Sequence, residues 1–189
     1  MESVGFKEWA LVCEALGRGE QSIILRKGGI AEGRDGFSFR HREFFLFPTF
    51  FHEQVEKVRG DRREIPEQRE GEIEIKFFAR LEQAFVVAHW ETAAALEPFH
   101  ILRKEVVRER FEYDEAPGVH VAFARVYQLA TPWRFPDAAR YGGCRSWVTL
   151  PEFPSETTMS PVVTDEDHAG RFEEFRSLIG KTPTPQLSS

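Results

Sequence analysis

The chain has 189 residues, 41% hydrophobic and 30% charged, with 25 Lys and Arg against 31 Asp and Glu and a net charge of −6; a single domain of this size buries about 70% of its unfolded surface and needs no disulfide or metal to hold its core. Two cysteines without CxxC spacing, Cys13 and Cys144, exclude a zinc finger and a disulfide framework. No apolar run approaches the roughly 20 residues that span a bilayer and no signal segment opens the chain, so a cytoplasmic protein is expected.

Phe6, Trp9, Ala10, Cys13 and Leu16 recur at helical spacing and predict an amphipathic helix over 5–16, stopped by Gly17 and Gly19. Residues 22–27 and 43–48 read as strands, paired antiparallel across a connection in which residues 28–36 hold four glycines. A short helix over 49–58 with Thr49 as its cap follows, then a solvated connection over 59–71. Strands are expected at 72–79, 84–88, 119–129 and 146–150, and brief helices at 93–100 and 101–110. Residues 165–179 predict an acidic helix with Phe172, Phe175 and Ile179 as its stripe. The division expected is one core domain over 1–150, an extension over 151–180 and a flexible tail over 181–189, with 59–71 and the tail as the most mobile parts. Eighteen Phe against two Met predict a rigid aromatic core; Trp9, Phe45, Phe47 and Trp147 should be buried. The fold class is α+β, a single compact domain with a mainly antiparallel, strongly curved or barrel-like sheet and flanking short helices.

Charge is unevenly placed. Nonspecific nucleic-acid affinity comes mainly from Lys and Arg neutralising phosphates, which a net acidic chain disfavours. Residues 18–63, however, hold ten basic against seven acidic side chains and residues 100–147 eight against six, so a basic face is available.

Several segments can carry chemistry. Arg26 and Lys27 precede Gly28 and Gly29, whose N–H groups can complete a nest for an anion; a tight structural loop with two solvated charges is the alternative. The order is not that of a Walker phosphate loop, and no Nudix-type helix follows. Thr49, His52 and Glu53 fall one helical turn apart and can do acid/base work, unless Thr49 merely caps and the other two face water. His41 and Glu43 share a strand face and, with His52, form a weak candidate metal set. Glu74 and Lys76 fit the end of a nuclease pattern whose upstream Pro-Asp is missing. Cys144, between two glycines and Arg145, is either a reactive thiol or a packing residue beside Tyr141 and Trp147. Arg125 interrupts an apolar strand and must meet a carboxylate, a carbonyl or a ligand.

Four blocks, Lys7-Glu8-Trp9, the run 25–32, the run 41–53 and the run 141–148, together resemble the domain-of-unknown-function 1802 family of bacterial proteins over about residues 5–150. The resemblance implies kinship and brings no activity with it. By element order alone the fold is similar to compact PUA and ASCH barrels, which bind RNA or modified bases.

The function expected is recognition of RNA, DNA or a nucleotide-like anion. Arg26, Lys27, Gly28, Gly29, Thr49, Arg125, Tyr141, Cys144 and Trp147 are the candidate ligand contacts, with Arg26, Lys27, His41, Glu43, His52 and Glu53 in one cleft. The alternatives are a hydrolase using His52, Glu53, His41 and Glu43, and a structural or protein-interaction domain. Neither a cofactor nor an oligomeric state can be read from the residues.

Overall fold

The computed structural model describes residues 3–27, 37–60, 64–113, 117–154 and 156–180, so the glycine-rich segment 28–36 and the tail 181–189 lie outside the described residues, as do 61–63 of the predicted mobile connection. The chain opens as a strand, β1 (Val4–Trp9), and only then turns into helix α1 (Ala10–Gly17). The predicted helix over 5–16 is therefore corrected. β1 lies between two strands, parallel to β3 (Glu43–Thr49) in the register Gly5↔Phe45 to Trp9↔Thr49, and antiparallel to β6 (Trp147–Thr149). Two ladders of main-chain hydrogen bonds outweigh the helical spacing of Phe6 and Trp9. Helix α1 ends at Gly17 against the Phe77 ring, where a β-carbon would come within 2.0 Å of a ring carbon.

Among the described residues seven strands form one mostly antiparallel sheet in the order β2 (Ile23–Arg26), β5 (Val119–Pro136), β4 (Glu72–Val87), β3, β1, β6, with β7 (Met159–Pro161) also on β5. β2 pairs with β5 and not with β3, contrary to the antiparallel pair read from the sequence. Both edges of β3 are already taken, by β1 and by β4. β4 is one strand where two were expected, its register with β5 shifting between Ile75 and Phe77 and again between Leu81 and Gln83. Such irregularities bend a strand and raise its twist without ending it, which lets the long β4/β5 pair curl.

Both faces of the sheet are covered. Phe44 and Leu46 of β3 enter one core with Phe6, Phe85 and Phe123, while Phe45 and Phe47 enter a second with Phe78, Trp133 and Tyr141. This is why β3 reads as an unbroken apolar run and not an alternating one. Phe45 and Phe47 are buried, whereas Trp9 and Trp147 are only partly so and pack at the margin of the first core. The C-terminal residues join the same body. Helix α5 (Asp165–Ile179), as the sequence predicts, starts at Thr164, whose Oγ1 accepts from the Asp167 N–H, and it inserts Phe175 between Phe85, Phe99 and Phe123.

Arg125 anchors that helix. Its buried guanidinium donates to the carbonyls of Val163 and Thr164 and, at 2.5 Å, to Asp165 Oδ1. Asp165 is itself 98% exposed, so water screens the ion pair and the carbonyl bonds matter more. Arg125→Met should cost about 1–3 kcal/mol in urea unfolding and Asp165→Asn under about 1 kcal/mol; equal losses would assign the anchoring to the ion pair.

His100 follows the 3₁₀ turn at Glu97–Phe99 and is buried, its Nδ1 accepting from the Leu102 N–H at 3.1 Å. Burial, and then Arg59 and Arg110 nearby, push its pKa from 6.5 down to about 3. The folded state then binds fewer protons than the unfolded chain between these values, so stability is complete above about pH 6.5 and falls as pH drops toward 3. The loss attributable to this residue is about 2–3 kcal/mol near pH 4.5. His100→Asn preserves an acceptor for the N–H two residues on, because asparagine makes the same local bond. It should flatten that part of the pH–stability curve, and an unchanged curve would remove His100 from the account.

Candidate functional site

Among the described residues the end strands of the sheet, β2 and β6, share no main-chain pairing, so the sheet is open between them. Side chains bridge the seam. From β2, Arg26 Nη2 donates to Ser146 Oγ at 3.0 Å, just before β6, and the guanidinium lies 5.5 Å above the Phe6 ring of β1. Helix α4 (Lys104–Phe111) crosses the same gap. Its Arg110 donates through Nη1 to the Leu25 carbonyl at 2.5 Å and lies 4.6 Å from the centre of the Trp9 ring.

Beside these bridges is a cleft of about 240 Å³. Four cations line it, Arg26, Lys27, Lys57 and Arg110, against one carboxylate, Glu109, and two rings, Trp9 and Tyr113. Lys57 is brought there by helix α2 (Gln54–Lys57), whose end is tied to the approach of α4. The Lys57 carbonyl accepts from the Arg103 N–H, and Val58 bridges Leu102. Lys27 Nζ sits 3.2 Å from the centre of the Tyr113 ring, which is 56% exposed and so keeps surface for a ligand. Burial lowers the Arg110 pKa, buried Glu8 opposes that shift and Arg26 adds to it. Glu8 attracts Arg110 more strongly than Arg26 repels it, so the guanidinium pair already has one buried counter-charge. Glu8 holds its place by accepting the Trp9 N–H on Oε1 at 2.8 Å.

A second cleft, of about 490 Å³, opens at the start of β3 and is lined by Arg40, His41, Arg42, Glu43, Arg80 and Glu82. Glu43 accepts from Arg80 Nε at 2.8 Å, and Glu82 lies 3.3 Å from His168 of α5. The His41 ring meets the Trp147 ring edge-on at 4.9 Å.

The family described as Domain of unknown function (DUF1802) matches residues 5–174. The chain belongs to that family. In fold it is similar to the crystal structure of ASCH from Zymomonas mobilis, with a TM-score of 0.49 and 12% identity over 80% of this chain and 89% of the other. A variant of that protein with a tyrosine replaced by phenylalanine gives 0.47 and 13% over 80% and 92%. No curated protein matches the sequence. Among the described residues no helix is long and apolar enough to cross a membrane.

The predicted single cleft of this DUF1802 chain is divided in the structure. Arg26 and Lys27 line the seam cleft, His41 and Glu43 the second, and His52 and Glu53 are exposed on the turn before α2 and line neither. Thr49 is the last residue of β3 and not a helix cap; its hydroxyl donates to the Glu8 carbonyl at 3.0 Å. Helix α2 begins only at Gln54, so Thr49, His52 and Glu53 share no helical face. Glu43 and Thr49 stand at opposite ends of β3, about 20 Å apart by strand rise, which separates His41 and Glu43 from His52 as metal ligands. Among the described residues no group of three His, Cys, Asp or Glu is placed to hold a metal.

Gly28 and Gly29 lie outside the described residues. Tyr141 is buried against Phe47 and Phe135. Trp147 is wedged between Phe6, Phe44 and His41. Cys144 is exposed, on a loop whose Gly142 and Gly143 carbonyls receive Lys7 Nζ. Glu74 and Lys76 are spent on ion pairs, Glu74 with Arg134 at 2.6 Å and Lys76 with Glu14 at 2.9 Å. Lys57, Arg110 and Tyr113 were not foreseen as site residues. Their only sequence signal is that Lys57 and Arg110 belong to the two segments with a basic excess.

Proposed function

We propose that this DUF1802 chain binds a nucleotide-like anion in the seam cleft, the phosphate held by Arg26, Lys57 and Arg110 and the base laid against Trp9 or Tyr113. The observation that supports this most is the excess of four cations over one carboxylate around two aromatic rings, on a chain whose net charge is −6. A concave site with an excess of one sign focuses the field and concentrates counter-ions, and rings offer any base a stacking surface. Binding is favoured over hydrolysis because the acid/base set read from the sequence does not gather here, His41 and Glu43 lining the second cleft and His52 and Glu53 lying exposed before α2.

Equilibrium titration of the full chain with nucleoside 5′-monophosphates, the matching nucleosides and inorganic phosphate tests the reading. The monophosphate should bind at least about tenfold more tightly than the nucleoside and weaken between about 50 and 200 mM salt. Equal affinity for nucleoside and nucleotide, or indifference to salt, would contradict it.

A further inference from the structure

We infer that the ligand of the seam cleft is a single strand of nucleic acid that runs on past Arg26 into the second cleft, and not a free nucleotide. This rests on the nucleotide reading above and adds the polymer. The two clefts adjoin at Trp147. Arg26 of the first donates at 3.0 Å to Ser146, the neighbour of Trp147, and the half-buried Trp147 ring lies 4.9 Å from His41 of the second, with Phe6 buried beneath. His41 lines the second cleft between Arg40 and Arg42, both exposed.

The charge of the second cleft is of the same sign as the first. Its Glu43 is paired with Arg80 and its Glu82 reaches His168, while the Arg40 and Arg42 guanidiniums have no protein partner among the described residues. A free nucleotide engages the 240 Å³ cleft and does not reach the 490 Å³ one. A strand continuing across Trp147 uses both, placing its backbone along Arg26, Arg40 and Arg42. The joint is partly exposed, His41 and Trp147 being half-buried, so it can receive a base whose face is free. Bases in a duplex hide their faces from side-chain rings, and unstacked bases in a single strand do not.

The test compares a nucleoside monophosphate, a dinucleotide and a hexanucleotide, as RNA and as DNA, together with a blunt duplex, on the full chain and on the double variant Arg40→Gln, Arg42→Gln. Both side chains are exposed, and the contact that Arg42 makes with β4 is through its carbonyl, which accepts the Leu81 N–H and survives the substitution. In the unaltered chain the hexanucleotide should bind about 10- to 100-fold more tightly than the monophosphate and outcompete the duplex. In the double variant most of that advantage should vanish, and the slope of log K against log salt should fall by about 1.4, or about 0.7 for each lost phosphate contact. Either sugar giving this pattern supports the inference. Equal affinity for hexanucleotide and monophosphate, equal competition by the duplex, or an unchanged hexanucleotide affinity in the double variant would overturn it while leaving the nucleotide site intact. Failure of every ligand to bind would instead strike the nucleotide reading itself.

Discussion

Phe6→Ala should lower stability by about 3–5 kcal/mol, the range for truncating a buried aromatic side chain. Phe6 is fully buried and holds the seam from both sides. Its ring meets Phe37 and Phe39 at 6.2 and 5.9 Å, Phe44 of β3 at 5.2 Å and Trp147 of β6 at 4.8 Å, with Arg26 of β2 above it. Among the described residues no main-chain ladder joins β2 to β6, so the side chains packed around Phe6 carry the contact between them. Phe6→Leu keeps most of the volume and should cost clearly less. Urea unfolding of the three proteins decides the matter through the midpoint at constant slope. An alanine loss below about 1 kcal/mol would mean that the seam is held elsewhere, because so small a loss is typical of surface positions.

Removing cleft charge should act on binding and spare the fold. Lys57→Gln and Arg26→Gln are each expected to weaken nucleotide binding by about 10- to 100-fold, the equivalent of a charged hydrogen bond worth about 1.5–3 kcal/mol. Stability should change by less than about 1 kcal/mol, since Lys57 ends a surface helix and glutamine at 26 can still donate to Ser146. Arg110 is a poorer probe because it also satisfies the Leu25 carbonyl and packs on Trp9, so its removal mixes binding with packing. Affinities of both glutamine variants within about twofold of the unaltered chain would remove the seam cleft as the phosphate site, since a charged contact is worth far more than that.

What could be read in the sequence was local. β3, β6 and α5 lie where composition and apolar spacing put them, because a compact apolar run or an amphipathic stretch is specified within one window. β1 was missed because its state is decided by Phe45, Phe47 and Val148, far along the chain, while Phe6, Trp9 and Cys13 by themselves have helical spacing. The β2–β3 pairing failed for the same reason, since β1 and β4 take both edges of β3 and β2 pairs with β5 instead. At the site, Arg26 and Lys27 were visible as a charged end to a strand. Lys57 and Arg110 were not, because a cation on a solvated helix face looks alike whether it faces water or a cleft. His52 and Glu53 were overvalued by a helical spacing that the chain never forms.

The most direct measurement follows the four indole N–H resonances during titration with a nucleoside monophosphate. Trp9 lies in the seam cleft, Trp147 adjoins it, Trp133 is buried in the second core, and Trp90 of α3 (Trp90–Ala95) packs on Phe111 beneath Arg108. The largest shift should occur at Trp9, with a lesser one at Trp147 and none at Trp133. Saturable binding that leaves Trp9 unmoved, or that moves Trp133 or Trp90 instead, would contradict a nucleotide site at the seam.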